Sequence, residues 1–270
     1  MSGYGFSNRV RTSRSFTVTS SIDTGYGPPT ASDEHDLPDE AVVAMVIARS
    51  LPGAKPETRA VLVAKARVQA FEPDDLIWRQ GETTPLTQIL RGYGAFRRTT
   101  VDGGQHIVSL SAPGALFGFS SIASVETPTD LVALTKVRAI LWPGHEIRPL
   151  AAGDPGLALD VIDRMAQFLL QANERVDSLI YQDTRRRVIR VLTSYGDLFF
   201  GQPAVLSRAH LPSLVGTTRE MTGRVIRALE SEGVVARVGR RGLALLSAEG
   251  LQRALAPSAR QRTEVSSATR

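Results

Sequence analysis

One stretch constrains the rest of the chain: "PGLALDVIDRMAQFLLQANERVDSLIYQD", residues 155–183. Ile162, Met165, Leu169, Ala172, Val176 and Leu179 follow one another at steps of 3, 4, 3, 4 and 3. Apolar residues three and four apart line one side of a helix as the a/d stripe of a coiled coil. Pro155 suits the first turn, where a missing N–H costs nothing. Leu159, Phe168, Leu170 and Ile180 add a second apolar flank. Such a stripe either packs on the chain's own domain or leaves one flank for a second copy. With two flanks available, the pattern predicts a parallel homodimer.

The chain differs in character on the two sides of this helix. Residues 1–36 are rich in Ser, Thr, Gly and Pro, with few large aliphatics, and are expected to be a disordered extension. A helical pair is expected from Pro38 to Ala70, as Asp39–Ala48 and Pro56–Ala70 around "LPGAKP". From Phe71 to Trp142, short runs such as "LIW", "QILRGYGAFRRTT" and "HIVSLS" alternate apolar and polar residues between recurring glycines. That pattern predicts an antiparallel sandwich or small barrel. "VDGGQ" is a hairpin turn, since Asp-Gly and Gly-Gly tolerate positive φ. Together these form a first domain over 37–154.

After the long helix, Asp183 is placed to cap "TRRRVIRVLTSYGDLFF". A helix in "SRAHLPSLVG", a second in "TTREMTGRVIRALESEGVV" and two short strands around Gly-Arg-Arg-Gly complete a domain over 184–250. Residues 251–270 are expected to be a flexible tail. From Thr184 to Arg260 there are thirteen arginines, no lysine and five acids, a net +8 that leaves −3 for the rest of the chain. A basic segment on a near-neutral body points to a polyanionic partner.

The second helix of the pair separates its faces. With Arg219 at zero, Gly223, Arg227, Glu220 and Arg224 fall between about 40° and 140°, while Val225, Leu229, Thr222 and Ile226 fall between about 240° and 340°. Thr217-x-x-Glu220 is a capping-box pattern, and Gly216 fits the tight turn before it. The polar arc therefore places Arg219, Glu220 and Arg224 where a helix–turn–helix reads base edges. Arginine suits guanine, and a carboxylate accepts from cytosine. Ser207, Thr217, Thr218 and Arg227, with Arg237, Arg240 and Arg241 of a wing, are expected at backbone phosphates.

In these motifs the chain resembles the cyclic-AMP receptor protein / fumarate-nitrate regulator family over residues from about 40 to 250. "TTREMTGRVIRALESEGVV" is similar to that family's recognition helix, "WRQGETTPLTQILRGYGAFRRTTVDGGQHIVSLSAPGALFG" to its effector barrel, and "LIYQDTRRRVIRVL" to the join between its dimer helix and DNA-binding domain. The resemblance implies an α+β chain with an antiparallel jelly-roll of cyclic-nucleotide-binding type, a dimerisation helix over 155–183 and a C-terminal winged helix–turn–helix. It implies a cytoplasmic homodimeric transcription regulator, an activator more than a repressor. Its partners would be double-stranded DNA with two-fold symmetric, TGTGA-like half-sites, and RNA polymerase, with no membrane.

The effector pocket departs from the family. Its nucleotide-binding members hold the ribose and phosphate with Gly-Glu and then Arg-Ser. The matching pairs here are Gly118-Phe119 and Thr129-Asp130, and no arginine occurs between Arg98 and Arg138. On the long helix, Ala172 beside Asn173 replaces the threonine that meets the base. Phe119 cannot accept from a hydroxyl, and Asp130 would repel a phosphate. Cyclic AMP is therefore not expected as effector. Either Phe119 fills the pocket and holds a DNA-competent dimer, or another ligand such as a cyclic dinucleotide takes its place.

Other chemistry finds little support. With no cysteine there is no disulfide, thiolate metal site or Cys-ligated cluster, and the four histidines His35, His106, His145 and His210 are scattered. No cofactor, metal or catalytic set is expected, nor a P-loop or nucleophile elbow. No apolar run reaches eighteen residues and the N-terminus has no secretory h-region. An alternative reading is a ligand-sensing or scaffold module acting through protein contacts, since "YGDLFFGQPA" reads as a loop exposing Phe199 and Phe200.

Overall fold

The computed structural model of the chain describes residues 39–255, so the expected disorder of residues 1–36 lies outside the described residues. Helix α1 (Asp39–Ser50) buries Val42, Val43, Val46 and Ile47, one helical stripe. Helix α2 (Pro56–Lys65) starts on proline. It stops short of the expected Ala70, because Ala66 turns extended and Arg67–Phe71 becomes strand β1. That strand pairs antiparallel with β8 (Val137–Trp142), Arg67 opposite Leu141. Pairing with a neighbouring strand outweighs continuation of the helix.

The remaining strands of this region are β2 (Leu76–Trp78), β3 (Leu86–Arg91), β4 (Gly94–Thr99), β5 (Gln105–Ser111), β6 (Leu116–Phe117) and β7 (Asp130–Ala133). They form two antiparallel four-stranded sheets, in the orders β1-β8-β3-β6 and β2-β7-β4-β5. The hairpin at 101–105 closes as expected, with Thr100 N–H donating to the Gly104 carbonyl at 2.9 Å and Gly103 at φ 79°.

Strand alternation sorts the first sheet's side chains onto two cores. Ile89, Val137, Ala139 and Leu141 face the barrel interior, together with Trp78, Phe96 and Phe117. The three rings stand 5.2–6.0 Å apart between centroids and fill the space between the sheets. Leu86, Leu90, Ile140 and Trp142 point the other way, against α1, α2, α3 (Gly144–Gly153) and the start of α4 (Pro155–Tyr181). The Trp142 indole donates to the Leu62 carbonyl at 2.8 Å.

The long helix α4 is anchored at its N-terminus. The buried Asp154 caps it, accepting from Gly156 N–H at 3.0 Å, and its other oxygen accepts from Lys55 N–H at 2.8 Å. Asp160 accepts from the amides of Gly53 and Ala54 at 2.8 and 3.1 Å. The α1–α2 loop is thus tied to the first two turns of α4. Its approach is so close that a Cβ on Gly156 would stand 1.9 Å from the Gly53 carbonyl oxygen.

Beyond α4 come α5 (Thr184–Ser194), α6 (Gly196–Phe200), α7 (Leu211–Val215), α8 (Arg219–Ser231), the hairpin β9 (Val235–Val238) and β10 (Gly242–Leu245), and α9 (Ala248–Leu255). The expected single helix from Thr184 to Phe200 breaks at Tyr195, whose φ −124° and ψ 33° end α5 ahead of Gly196. The segment read as an exposed loop is therefore α6, with Leu198 and Phe199 buried in the C-terminal core. The expected tail also begins later than 251, because Leu251 of α9 packs into that core; residues 256–270 lie outside the described residues. Ala95 and Leu110 on the outer face of the second sheet join the same core and seat the C-terminal unit on the barrel.

The Asp154 carboxyl is held down at about 2 against an ordinary 3.8, first by the Thr58 hydroxyl and then by the amides of Lys55, Leu157 and Gly156. A depressed carboxyl stabilises the fold above its unfolded value and loses that contribution as pH falls through its folded value. In urea denaturation, wild type is expected to be more stable than Asp154→Ala above pH 3.8, with the gap shrinking as pH approaches about 2.

Candidate nucleic-acid interface

The interface is built on α7, a turn and α8. The expected first helix over 207–216 is shorter: it begins at Leu211, which places Pro212 in its first turn and removes the strain of an interior proline. Ahead of it, His210 Nδ1 accepts from Ser207 N–H at 2.9 Å. Burial, then the nearby Arg241 charge, hold the imidazole below its ordinary value, so the neutral ring that can accept is favoured. Gly216 ends α7 at φ 69°, and the amides of Gly216 and Thr217 both donate to the Pro212 carbonyl, at 2.9 and 3.0 Å. This is the left-handed end that glycine permits at low cost.

Helix α8 is capped by Thr218, whose hydroxyl accepts from Met221 N–H at 3.2 Å. The cap thus sits one residue later than the Thr217-x-x-Glu220 box. Glu220 instead pairs with Arg224 one turn on. The buried side is Thr222, Val225, Ile226 and Leu229, as the helical spacing requires. Arg219, Glu220, Met221, Arg224 and Arg227 are exposed.

The wing turns at Gly239, with Arg240 and Arg241 exposed beside it. Arg237 is engaged within the protein, its Nε 2.7 Å from Glu230 Oε2. Arg208 holds the wing in place: its guanidinium donates to the Arg240 carbonyl at 2.7 Å and its amide to the Arg241 carbonyl at 3.0 Å. Sequence reasoning passed over Arg208, whose role depends on a wing thirty residues away in the chain.

A second arginine it passed over, Arg187 of α5, joins α4 to this unit. It donates to the carbonyls of Gln182, Leu179 and Ser178 at 2.6, 3.3 and 3.5 Å, and to Val215 at 3.1 Å. Arg175 of α4 reaches the Leu214 carbonyl at 3.5 Å, and Leu179 lies against Gly216. Beside Arg175, burial pushes the Tyr195 phenol up to about 12 against the pull of that guanidinium, so it stays neutral.

The six a/d positions of α4 lie on one exposed side of the chain, the large ones between 45% and 61% exposed. Leu159, Phe168, Leu170 and Ile180, the second apolar flank, are exposed as well; Leu157 and Val161 make the contact with the barrel side. Among the described residues no helix is long and apolar enough to cross a membrane.

Residues 68–154 match the profile of the cyclic nucleotide-binding domain, and residues 163–254 that of the Crp-like helix-turn-helix domain. The cyclic AMP receptor protein of Thermus thermophilus is 28% identical over 161 residues, 59% of this chain and 74% of that protein. The transcriptional regulator SdrP of the same organism is 27% identical over 192 residues, 68% of this chain and 91% of its own. The solved structure of CLP, a c-di-GMP-responsive global regulator of Xanthomonas campestris, shares the fold at a TM-score of 0.56 and 20% identity, covering 72% of this chain and 100% of that one. The chain belongs to the cyclic-AMP receptor protein / fumarate-nitrate regulator (CRP/FNR) family. It is a CRP/FNR-type transcription regulator with a DNA-binding helix–turn–helix.

The residues expected to form a degenerate effector pocket lie on the barrel and on α4. Gly118 sits at φ 89°, where a Cβ would stand 2.2 Å from the Pro85 carbonyl oxygen. Phe119 opens a short 3-10 turn and packs with the cluster under α1, α2 and α3. The barrel interior between the sheets is lined instead by Trp78, Phe96 and Phe117. The Trp78 indole donates to the Thr129 carbonyl at 3.1 Å, and the Asp130 carboxylate accepts from Gln80 N–H at 2.8 Å. Asn173 is exposed on α4.

Replacing Gly216 by valine places a β-branched residue at positive φ against Leu179. The expected loss is about 2 kcal/mol of stability in urea denaturation.

Proposed function

We propose that this CRP/FNR regulator works as a homodimer that lays its two α8 helices into successive major grooves of a two-fold symmetric DNA site. The reading is carried by one continuity: the exposed apolar seam of α4 ends against the turn that launches α8 and its exposed Arg219, Glu220 and Arg224. A seam of this length is costly to leave in water and is covered by a second α4 in parallel register. Two-fold symmetry then sets the two reading helices about one DNA turn apart.

In this reading Arg219, Glu220 and Arg224 meet base edges. Arg240 and Arg241, with Ser207, Thr217, Thr218 and Arg227, serve the phosphates. Arg237, engaged with Glu230, reaches a phosphate only by leaving that partner. RNA polymerase is the further partner that action as an activator entails. The alternative of a scaffold acting through Phe199 and Phe200 has little to rest on, since Phe199 is fully buried and Phe200 packs against the same core.

The regulator is not gated by cyclic AMP on this reading. Three aromatic rings fill the barrel, Phe119 offers no acceptor, and the carboxylate of Asp130 stands where the family places a phosphate-binding pair. Isothermal titration with cyclic AMP is expected to give no binding heat, and a micromolar dissociation constant would overturn this part.

For DNA, a gel shift on a palindromic probe is expected to weaken by about 1–3 kcal/mol with Arg219→Ala or Arg224→Ala, with relaxed base preference. Arg240→Ala is expected to weaken all duplexes alike and to lower the slope of affinity against salt. A monomer in sedimentation, or no affinity for any duplex at low salt, would overturn the reading.

A further inference from the structure

Four of the five residues that α8 exposes in its first turns are charged, and the fifth is Met221. The buried side of α8 is complete without it, supplied by Thr222, Val225, Ile226 and Leu229. Met221 is 37% exposed, and its backbone amide is held by the Thr218 hydroxyl, which fixes it in the first turn of the helix. At 100° per residue it stands roughly 60° from Arg224 and roughly 100° from Glu220. Those two side chains are paired with each other, so an apolar, flexible thioether borders a joined acid and base at the tip of the helix.

The groove such a tip enters offers one apolar feature on its base edges, the C5-methyl group of thymine. An unbranched, polarisable side chain suits that contact, because it can settle over a methyl without a fixed shape. We propose that Met221 is a specificity-determining residue that reads a thymine methyl next to the base pair met by Glu220 and Arg224. This rests on the DNA-binding reading above and adds to it an apolar element of base choice.

The test begins with sequences that the full chain selects from a random duplex pool. In the selected duplex each thymine is then replaced singly by deoxyuridine, which removes the methyl and leaves the pairing edge intact. The wild-type chain is expected to lose roughly fourfold in affinity per half-site at one thymine, the fold-change of one methyl group taken out of apolar contact. Met221→Ser is expected to bind the thymine and uracil forms alike, while Met221→Leu keeps the difference. Circular dichroism matching wild type confirms that both variants are folded. Sequence-selective binding with no response to uracil at any position overturns the assignment and leaves the DNA reading standing, as does a Met221→Ser variant that still discriminates. Failure to select any sequence overturns both together.

Discussion

The geometry of the molecule depends on one guanidinium. The last carbonyls of a helix have no partner within it and carry the negative end of its dipole. Arg187 collects the Leu179 and Gln182 carbonyls at the end of α4, shares the Ser178 carbonyl with the Gln182 amide, and takes a fourth carbonyl from the end of α7. A planar fork of fixed donors suits this task better than a lysine point charge. Two helix ends that would each need water or a cap share one side chain, and the direction of α4 is passed to the turn ahead of α8. Arg175 and Leu179 of α4 reinforce the joint at Leu214 and Gly216. The joint has a polar and an apolar component, both set on consecutive turns of α4.

The interior of the barrel is aromatic. Its two sheets carry the cyclic nucleotide-binding domain fold, and the interior holds Trp78, Phe96 and Phe117 in tilted and edge-to-face contact. Such ring pairs are favourable beyond the area they bury. Asp130, which would be a liability beside a phosphate, has a peptide amide to satisfy it. The Thr127 hydroxyl likewise reaches the Thr129 carbonyl at 3.3 Å.

Most of the architecture could be read from periodicity. The a/d steps of α4, the alternation in the strands and the split faces of α8 are local patterns, and local patterns survive folding when the buried side is large. The misreadings occurred where a tertiary partner decided the outcome. Residues 67–71 carry no sign that β8 is waiting for them. The shift of the α8 cap from Thr217 to Thr218 follows from Gly216 taking the left-handed turn, after which Glu220 finds Arg224 before the helix start. Phe199 looked exposed because Gly196-Asp197 before it and Gly201-Gln202-Pro203 after it resemble a loop, yet a helix restarts at Gly196. Arg187 and Arg208 were invisible as functional residues because their acceptors are carbonyls distant in sequence, and a carbonyl has no letter in the sequence.

The pairing of Glu220 with Arg224 has a consequence for how a duplex would be searched. Held together, the two charges cancel at any distance beyond a few ångströms, so the long-range pull of α8 would come from the exposed Arg219 and Arg227. In the DNA-binding reading, attraction to an arbitrary stretch of polyanion would be shared between these two and the exposed Arg240 and Arg241 of the wing. In that reading, the acid–base clasp on α8 would open only where a base pair offers each member something better than the other.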